Sequence, residues 1–389
     1  MNTSCKRLDL SIDFRQLMSA LSLALDLAET KKLEHAKRTT FIAATLAKKM
    51  EIPSETYYKI YFGSLLHDIS KVSLIPEEYH HHSTKGAEIV SQLPMLASLT
   101  EPILYHHENW DGTGTPYGLQ KGEIPLEAQI IRLADNIEYQ VGYESFGFTD
   151  IQSYVSEQSG KFFSPELSKV FLEVCKDPTF FKALSSPSIQ GYLSPLEPDY
   201  NFCLGFSDLI DIGQLFAKLI DSKSPFTASH SQEVANYAWK LSLAFGFDPA
   251  HVTYMRIAGI LHDLGKVAIP SQILDKPGAL SREEYHVIQT HVNYTELILS
   301  QVEGLEEIAA WSAMHHEKLD GTGYHRTLSE DSIPLEGRIL AVADIFQALT
   351  EDRPYRRGMA PEQSFTILDQ QVKEGKLDGD VVIKLKNSL

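Results

Sequence analysis

The sequence predicts an all-α protein built from two tandem copies of one helical domain. Two observations carry this reading. Apolar residues recur at spacings of three and four, as on one face of a helix, while period-two alternation is scarce. Potential metal ligands also occur twice in the same order. His35 and His230 are 195 positions apart, and so are His67 and His262. His82 and His291, His106 and His315, and Asp135 and Asp344 are each separated by 209. The halves therefore stay in register except for one 14-residue insertion in the second, between Lys266 and His291. Local text agrees: His106-His107-Glu108 with Asp111-Gly112-Thr113-Gly114 matches His315-His316-Glu317 with Asp320-Gly321-Thr322-Gly323. Ile124-Pro125-Leu126-Glu127 likewise matches Ile333-Pro334-Leu335-Glu336. Two copies imply a duplicated domain and no solenoid.

In chain order, residues 14–50 read as helical. Phe41–Ala47 has near-helical apolar spacing, and Lys48-Lys49 follow where cations suit the helix dipole. A second apolar helix over roughly 57–69 leads into His67-Asp68. Pro165–Val174 belongs to the tail of the first repeat. Ser185–Pro198, rich in Ser and Pro, is the best linker. Asp221-Ser222-Lys223-Ser224-Pro225 breaks the chain before the helix that bears His230. The expected organisation is an N-terminal domain over 1–184, a linker over 185–205 and a C-terminal domain over 206–389.

Composition narrows the function. At 389 residues two domains are the default. The three cysteines, Cys5, Cys175 and Cys203, form no C-x-x-C pair, which points to a reducing compartment and away from a thiolate zinc site. The polar N-terminus (Lys6, Asp9, Asp13, Arg15) has no apolar signal core, and no run approaches a membrane span. A soluble cytoplasmic protein with no membrane partner is expected. The net charge of −17 disfavours a nucleic-acid polymer as partner but not a small anion, because bound cations reverse the local field.

The chemistry-bearing residues are five histidines and two aspartates per repeat. A lone His-Asp pair means little, since most buried histidines are satisfied core residues. Seven such residues in matching order are different, because burying them without a cation costs too much desolvation. In the second repeat, His230, His262, Asp263 and Asp344 suit one divalent metal. Asp263, His291, His315 and His316 suit another, with Asp263 shared. The matching set in the first repeat is His35, His67, Asp68, His82, His106, His107 and Asp135. His80 and His81 read as solvated surface residues. Lys266, four positions after His262, lies beside the ligands and is placed to neutralise a phosphate oxygen. Asp320-Gly321-Thr322-Gly323-Tyr324 allows a tight loop close to a ligand, and Arg353-Pro354-Tyr355-Arg356-Arg357 is a basic cluster in an acidic chain.

These motifs together resemble the HD-GYP branch of the HD phosphohydrolases. The resemblance rests on His262-Asp263-x-Gly265-Lys266, Asp275-Lys276-Pro277-Gly278-x-Leu280, the segment His315 to Tyr324, and Arg353-Pro354-Tyr355-Arg356. It spans about residues 215–389, and residues 15–175 resemble a divergent copy. It implies two tandem HD-type helical domains and a phosphodiesterase that linearises c-di-GMP or 3′,3′-cGAMP to a 5′-phosphorylated dinucleotide. It further implies iron or manganese as the metals, and Tyr324, Arg353 and Arg356 with Lys266 as substrate contacts. Some members carry a glutamate four residues before the first histidine for a third metal; Phe226 stands there, so two metals per site are expected.

The family's Gly-Tyr-Pro reads Gly323-Tyr324-His325, and Gln347 stands where an aspartate is usual. In the first repeat Ser70 replaces the glycine after His-Asp, Thr115 breaks Gly-Tyr-Pro, and both the Lys-Pro-Gly insertion and the Arg-Pro-Tyr-Arg segment are missing. The expected division of labour is a catalytic C-terminal domain using Asp263 and Lys266, with an N-terminal repeat that regulates or scaffolds it by intramolecular contact. Homodimerisation stays open. The rival readings are an HD-type nucleotidase acting on mononucleotides and a non-catalytic nucleotide-binding module.

Overall fold

A computed structural model describes residues 11–28, 34–74, 76–142, 147–199, 202–222, 230–276, 278–324, 328, 330–352 and 357–389. By its internal contacts the chain divides into two units, Met18–Phe202 and Cys203–Leu389, the latter including Met1–Leu17.

The first unit carries α1 (Phe14–Ala28, which begins across the division), α2 (His35–Lys49), α3 (Ser54–Leu66), α4 (His82–Val90), α5 (Thr100–Leu104) and α6 (Leu126–Gly142). It closes with α7 (Phe148–Gln158), α8 (Pro165–Val174), α9 (Pro178–Leu184) and α10 (Gln190–Leu193). Its centre is α2, packed between α3 and α6. Ala43, Ala44 and Ala47 are fully buried, and their short side chains let the neighbouring helices approach closely. Local signals set several helix starts. Ser164 caps α8, accepting from Leu167 N at 3.1 Å, with Pro165 as first helical residue.

The second unit repeats the plan with α11 (Phe206–Asp221), α12 (His230–Ala244), α13 (Pro249–Leu261), α14 (Ser271–Leu274), α15 (Arg282–Gln289), α16 (His291–Leu299), α17 (Glu306–Ala313) and α18 (Leu335–Thr350). Two further helices, α19 (Pro361–Lys373) and α20 (Gly379–Asn387), end the chain. Here α12 packs against α13 and α18 as α2 does against α3 and α6. The segment between Lys266 and His291, which is 14 residues longer than its counterpart, contains α14 and α15; at that place the first unit has the 3-10 segment Pro76–His81 among its described residues. Ser281 caps α15 and accepts from Glu284 N at 3.2 Å, while Glu284 accepts from Ser281 N at 2.7 Å. The only strands among the described residues are β1 (Ile12–Asp13) and β2 (Cys203–Leu204), paired antiparallel within this unit. No described helix is long and apolar enough to cross a membrane.

One expectation is refined and two are corrected. Residues 14–50 are helical as expected, but as the two helices α1 and α2, with Glu34 at a left-handed φ of 70° just before α2. The stretch 185–205 is not a free linker. Ile189 and Leu193, four apart on one face, are buried, and Tyr57 donates its hydroxyl to Leu196 O at 2.5 Å. Glu34 accepts from Ile189 N at 2.9 Å, and Arg38 donates to Ser186 O at 2.6 Å, so the segment to Phe202 groups with the first unit. Finally, residues 11–17 group with the second unit, where buried Ile12 pairs with Leu204. The boundaries 1–184 and 206–389 are shifted accordingly.

Candidate metal centre

In the second unit the histidines enter the site from helix ends. His230 opens α12, His291 opens α16, His262 caps the C-terminus of α13, and His315 and His316 follow α17. Asp344 comes from the middle of α18. Backbone carbonyls fix three of the rings. His262 Nδ1 donates to Gly259 O at 2.8 Å, His291 Nδ1 to Ile288 O at 2.7 Å, and His315 Nδ1 to Ser312 O at 2.5 Å. A carbonyl can only accept, so the proton sits on Nδ1 and Nε2 presents a bare lone pair.

Those lone pairs converge. His230 Nε2 lies 3.3 Å from His262 Nε2, and His291 Nε2 lies 3.3 Å from His315 Nε2. Asp263 stands between the two pairs. Its Oδ2 is 3.1 Å from His262 and 3.5 Å from His230, whereas its Oδ1 is 3.3 Å from His291 and 3.7 Å from His315. Oδ1 is buried and accepts no hydrogen bond among the described residues. Facing lone pairs around a desolvated carboxylate oxygen repel one another unless a cation sits among them. Three overlapping groups are compact enough to hold one, with ligand atoms within 4.8 Å: His230, His262 and Asp344; His262, Asp263 and His315; and His291, His315 and His316.

The electrostatics match. His262, Lys266 and His230 hold the Asp263 carboxyl well below the usual range against the opposing effect of burial, and Asp344 is likewise lowered beside His230 and His316. Burial and neighbouring histidines push His315 well down and His316 to about 3. Burial opposes protonation of His230, but Asp263 and Asp344 raise it to about 10, marking a point that attracts positive charge. Ionised carboxylates and neutral imidazoles are the forms that bind metals. Lys266 Nζ reaches Asp263 Oδ2 at 2.5 Å.

The first unit reproduces this geometry. Asp68 Oδ2 is 3.4 Å from His67 and 3.6 Å from His35, and its Oδ1, also without a hydrogen bond, is 3.2 Å from His82. His35 and His67 face each other at 3.3 Å through Nε2, and His82 and His106 at 3.1 Å. Asp135 Oδ1 is 3.5 Å from His35, and Lys71 Nζ is 2.6 Å from Asp68. His107 Nε2 approaches His82 Nε2 at 3.0 Å. His80 and His81 are exposed.

Tyr324 also arrives at the second site, its ring 4.2 Å from that of His316 and 5.9 Å from Tyr285 of the inserted α15. Gly323 allows that loop: a Cβ there would lie 2.6 Å from Glu317 Oε2. Arg353, Arg356, His325 and Phe226 lie outside the described residues.

Sequence reasoning missed Glu138, Asp26 and Asp221, and it named Gln347 and Ser70 without their contacts. His230 Nδ1 bonds Gln347 Oε1, and at the matching place in the first unit His35 Nδ1 bonds Glu138 Oε2 at 2.6 Å. Gln347 is thus an orienting group in the aspartate's place. Asp221 accepts from Ser231 Oγ at 3.3 Å and Asp26 from Ala36 N at 3.2 Å, so each braces the start of a ligand-bearing helix. Their separation of 195 was the available signal. The Ser70 substitution is compensated. A Cβ on Gly265 would lie 1.9 Å from His291 O, and Thr295 Oγ1 fills the adjacent space, accepting from Gly265 N at 2.9 Å. In the first unit the hydroxyl belongs to Ser70, which donates to His82 O at 2.7 Å, and the position matching Thr295 is Gly86.

Such a paired-histidine site on a duplicated helical frame defines a class, and comparison agrees. The HD domain model matches residues 19–145 and 214–381, so the chain belongs to the HD domain family, as two tandem HD-type domains. It is 30% identical over 392 residues to the 3′3′-cGAMP-specific phosphodiesterase 1 of Vibrio cholerae, covering 95% of this chain and 90% of that protein. Phosphodiesterase 3 of the same organism is 33% identical over 79% of this chain and 66% of its own length. A cyclic di-GMP phosphodiesterase of Thermotoga maritima is 33% identical over 45% of this chain and 48% of its own. The crystal structure of a V. cholerae cyclic GMP-AMP-specific phosphodiesterase superposes with a TM-score of 0.73 at 26% identity, covering 97% of this chain and 98% of that one.

Proposed function

We propose that this chain is a metal-dependent phosphodiesterase that opens a cyclic dinucleotide, 3′,3′-cGAMP or c-di-GMP, to a linear 5′-phosphorylated dinucleotide in its C-terminal unit. The observation that carries this reading is Asp263, whose two oxygens face separate histidine pairs. Two divalent metals, iron or manganese, fit that arrangement and would supply an activated water and charge stabilisation at the phosphate. His230, His262 and Asp344 would hold one with Asp263; His291, His315 and His316 would hold the other.

Lys266 has two tasks. Paired with Asp263, it keeps that carboxylate ionised, and its remaining N–H donors are available to a phosphate oxygen. Tyr324, tilted against His316 and met edge-on by Tyr285, offers an aromatic face for a base. By the family resemblance, Arg353 and Arg356 would add further substrate contacts. The first unit has no residue equivalent to Tyr324 at Thr115, and its Tyr117 is exposed. That contrast favours catalysis in the second unit, with the first in a regulatory or scaffolding role.

The test is hydrolysis of 3′,3′-cGAMP, c-di-GMP and a mononucleotide panel with Mn²⁺ or Fe²⁺. Cyclic-dinucleotide cleavage abolished by His262→Ala/Asp263→Ala is the expected result. Cleavage abolished only by His67→Ala/Asp68→Ala would move the active site to the first unit, and cleavage of mononucleotides alone would replace the substrate class.

A further inference from the structure

Around the first-unit centre one residue has no counterpart in the second. Arg132, on α6, stands where the second unit has Ala341. Its Nη1 lies 3.3 Å from His107 Nδ1. Arginine has N–H donors and no acceptor, so the nitrogen it meets must accept. That fixes the His107 proton on Nε2, the atom aimed at His82 Nε2 at 3.0 Å. His82 Nδ1 already donates to Tyr79 O, so His82 Nε2 is the acceptor of that contact. His107 therefore presents a proton where His316, its counterpart, is free to present a lone pair.

The guanidinium is firmly placed. Its Nε and Nη2 both donate to Asn109 Oδ1 at 3.1 Å, Asn109 Nδ2 donates to Thr113 Oγ1 at 3.1 Å, and Thr113 donates to Asp111 at 2.6 Å. The Phe162 ring lies 5.6 Å from its Cζ. A fixed cation beside His107 removes one ligand of the His82–His106–His107 group and repels a metal there. On the other side of Asp68 the opposite holds. His35 Nδ1 bonds the carboxylate of Glu138 at 2.6 Å, whereas His230 Nδ1 bonds the neutral amide of Gln347 and has the Glu351 carboxylate only at 4.0 Å. A carboxylate behind a histidine makes it a stronger metal ligand.

From these two opposed differences we infer that the first unit is a one-ion centre: His35, His67, Asp68 and Asp135 hold a single divalent metal, and Arg132 takes the place of the second. This rests on the two-metal reading of the second unit, and the experiment separates them. Full-length wild type, His67→Ala/Asp68→Ala and Arg132→Met are loaded with Mn²⁺, desalted and analysed for metal per chain, with folding followed by circular dichroism. The double variant reports the second unit alone, and two ions there uphold its reading whatever the first unit holds. Wild type is expected to carry one ion more than the double variant, and Arg132→Met one more than wild type. EPR of the first unit's Mn²⁺ should show an isolated ion in wild type and a coupled pair in Arg132→Met. A wild type carrying two more ions than the double variant, or none more, overturns the inference even if Arg132→Met does not fold. So does a folded Arg132→Met with no added ion.

Discussion

The two units hold the same seven ligand types in the same order and share Lys71/Lys266 and Asp26/Asp221 beside them, yet differ at several other residues behind them. In the second unit the helix carrying Asp344 offers Ala341 and Gln347; in the first it offers Arg132 and Glu138. The second gains an inserted helix whose Tyr285 reaches Tyr324, while the first has a 3-10 segment there. A ligand set is therefore a poor guide to what a duplicated centre does. Its working properties come from the groups that set tautomers, add charge and present a face to substrate.

This contrast can be broken experimentally. The largest effect is expected from His262→Ala/Asp263→Ala, which should reduce dinucleotide cleavage to background in a product assay by chromatography while the protein stays folded. Next, Gly265→Ala should destabilise the second unit by about 3 kcal/mol, since its Cβ has no space beside His291 O. Denaturant unfolding would read this, and Gly265→Ser/Thr295→Gly, the first unit's arrangement, should recover part of the loss. Third, Gln347→Ala should weaken metal retention in the second unit about tenfold in a chelator titration, and Gln347→Glu should strengthen it. The smallest effect is expected for Tyr324→Leu: removing the stacking face should cost about 1 kcal/mol of substrate binding. That would appear as a severalfold higher KM with metal content unchanged.

Much of the fold and the ligand set was legible because duplication leaves fixed offsets, which report shared geometry without a coordinate. What surrounds the ligands was not legible. Arg132, Ala341 and Glu138 do not match between the repeats, so the offset that found the histidines draws no attention to them, and Gln347 stood out only as a departure from the family pattern, with no sign that it holds His230. Their contacts also span long stretches of chain, as between His230 and Gln347. The linker misreading has a different cause. Serine and proline between 185 and 198 obscured Ile189 and Leu193, whose spacing is that of a buried helical face. The strand pair was too short to leave a period, yet it moves the domain boundary. Truncating the chain near residue 200 would remove β1 from the very unit the truncation is meant to isolate, so point variants are the better probe of any coupling.

The exchange of glycine and hydroxyl between Gly265–Thr295 and Ser70–Gly86 bears on how the two halves of the gene can diverge or be homogenised. Gene conversion copying only the short His-Asp segment from the first half into the second would set a serine against Thr295 and the His291 carbonyl. The reverse transfer would leave two glycines facing each other and the His82 carbonyl without its donor. Only a conversion tract long enough to carry both positions, about thirty codons in the second half, transfers a working pair. Shorter exchanges would split the pair, so each half carries a structural barrier to being overwritten piecemeal by the other.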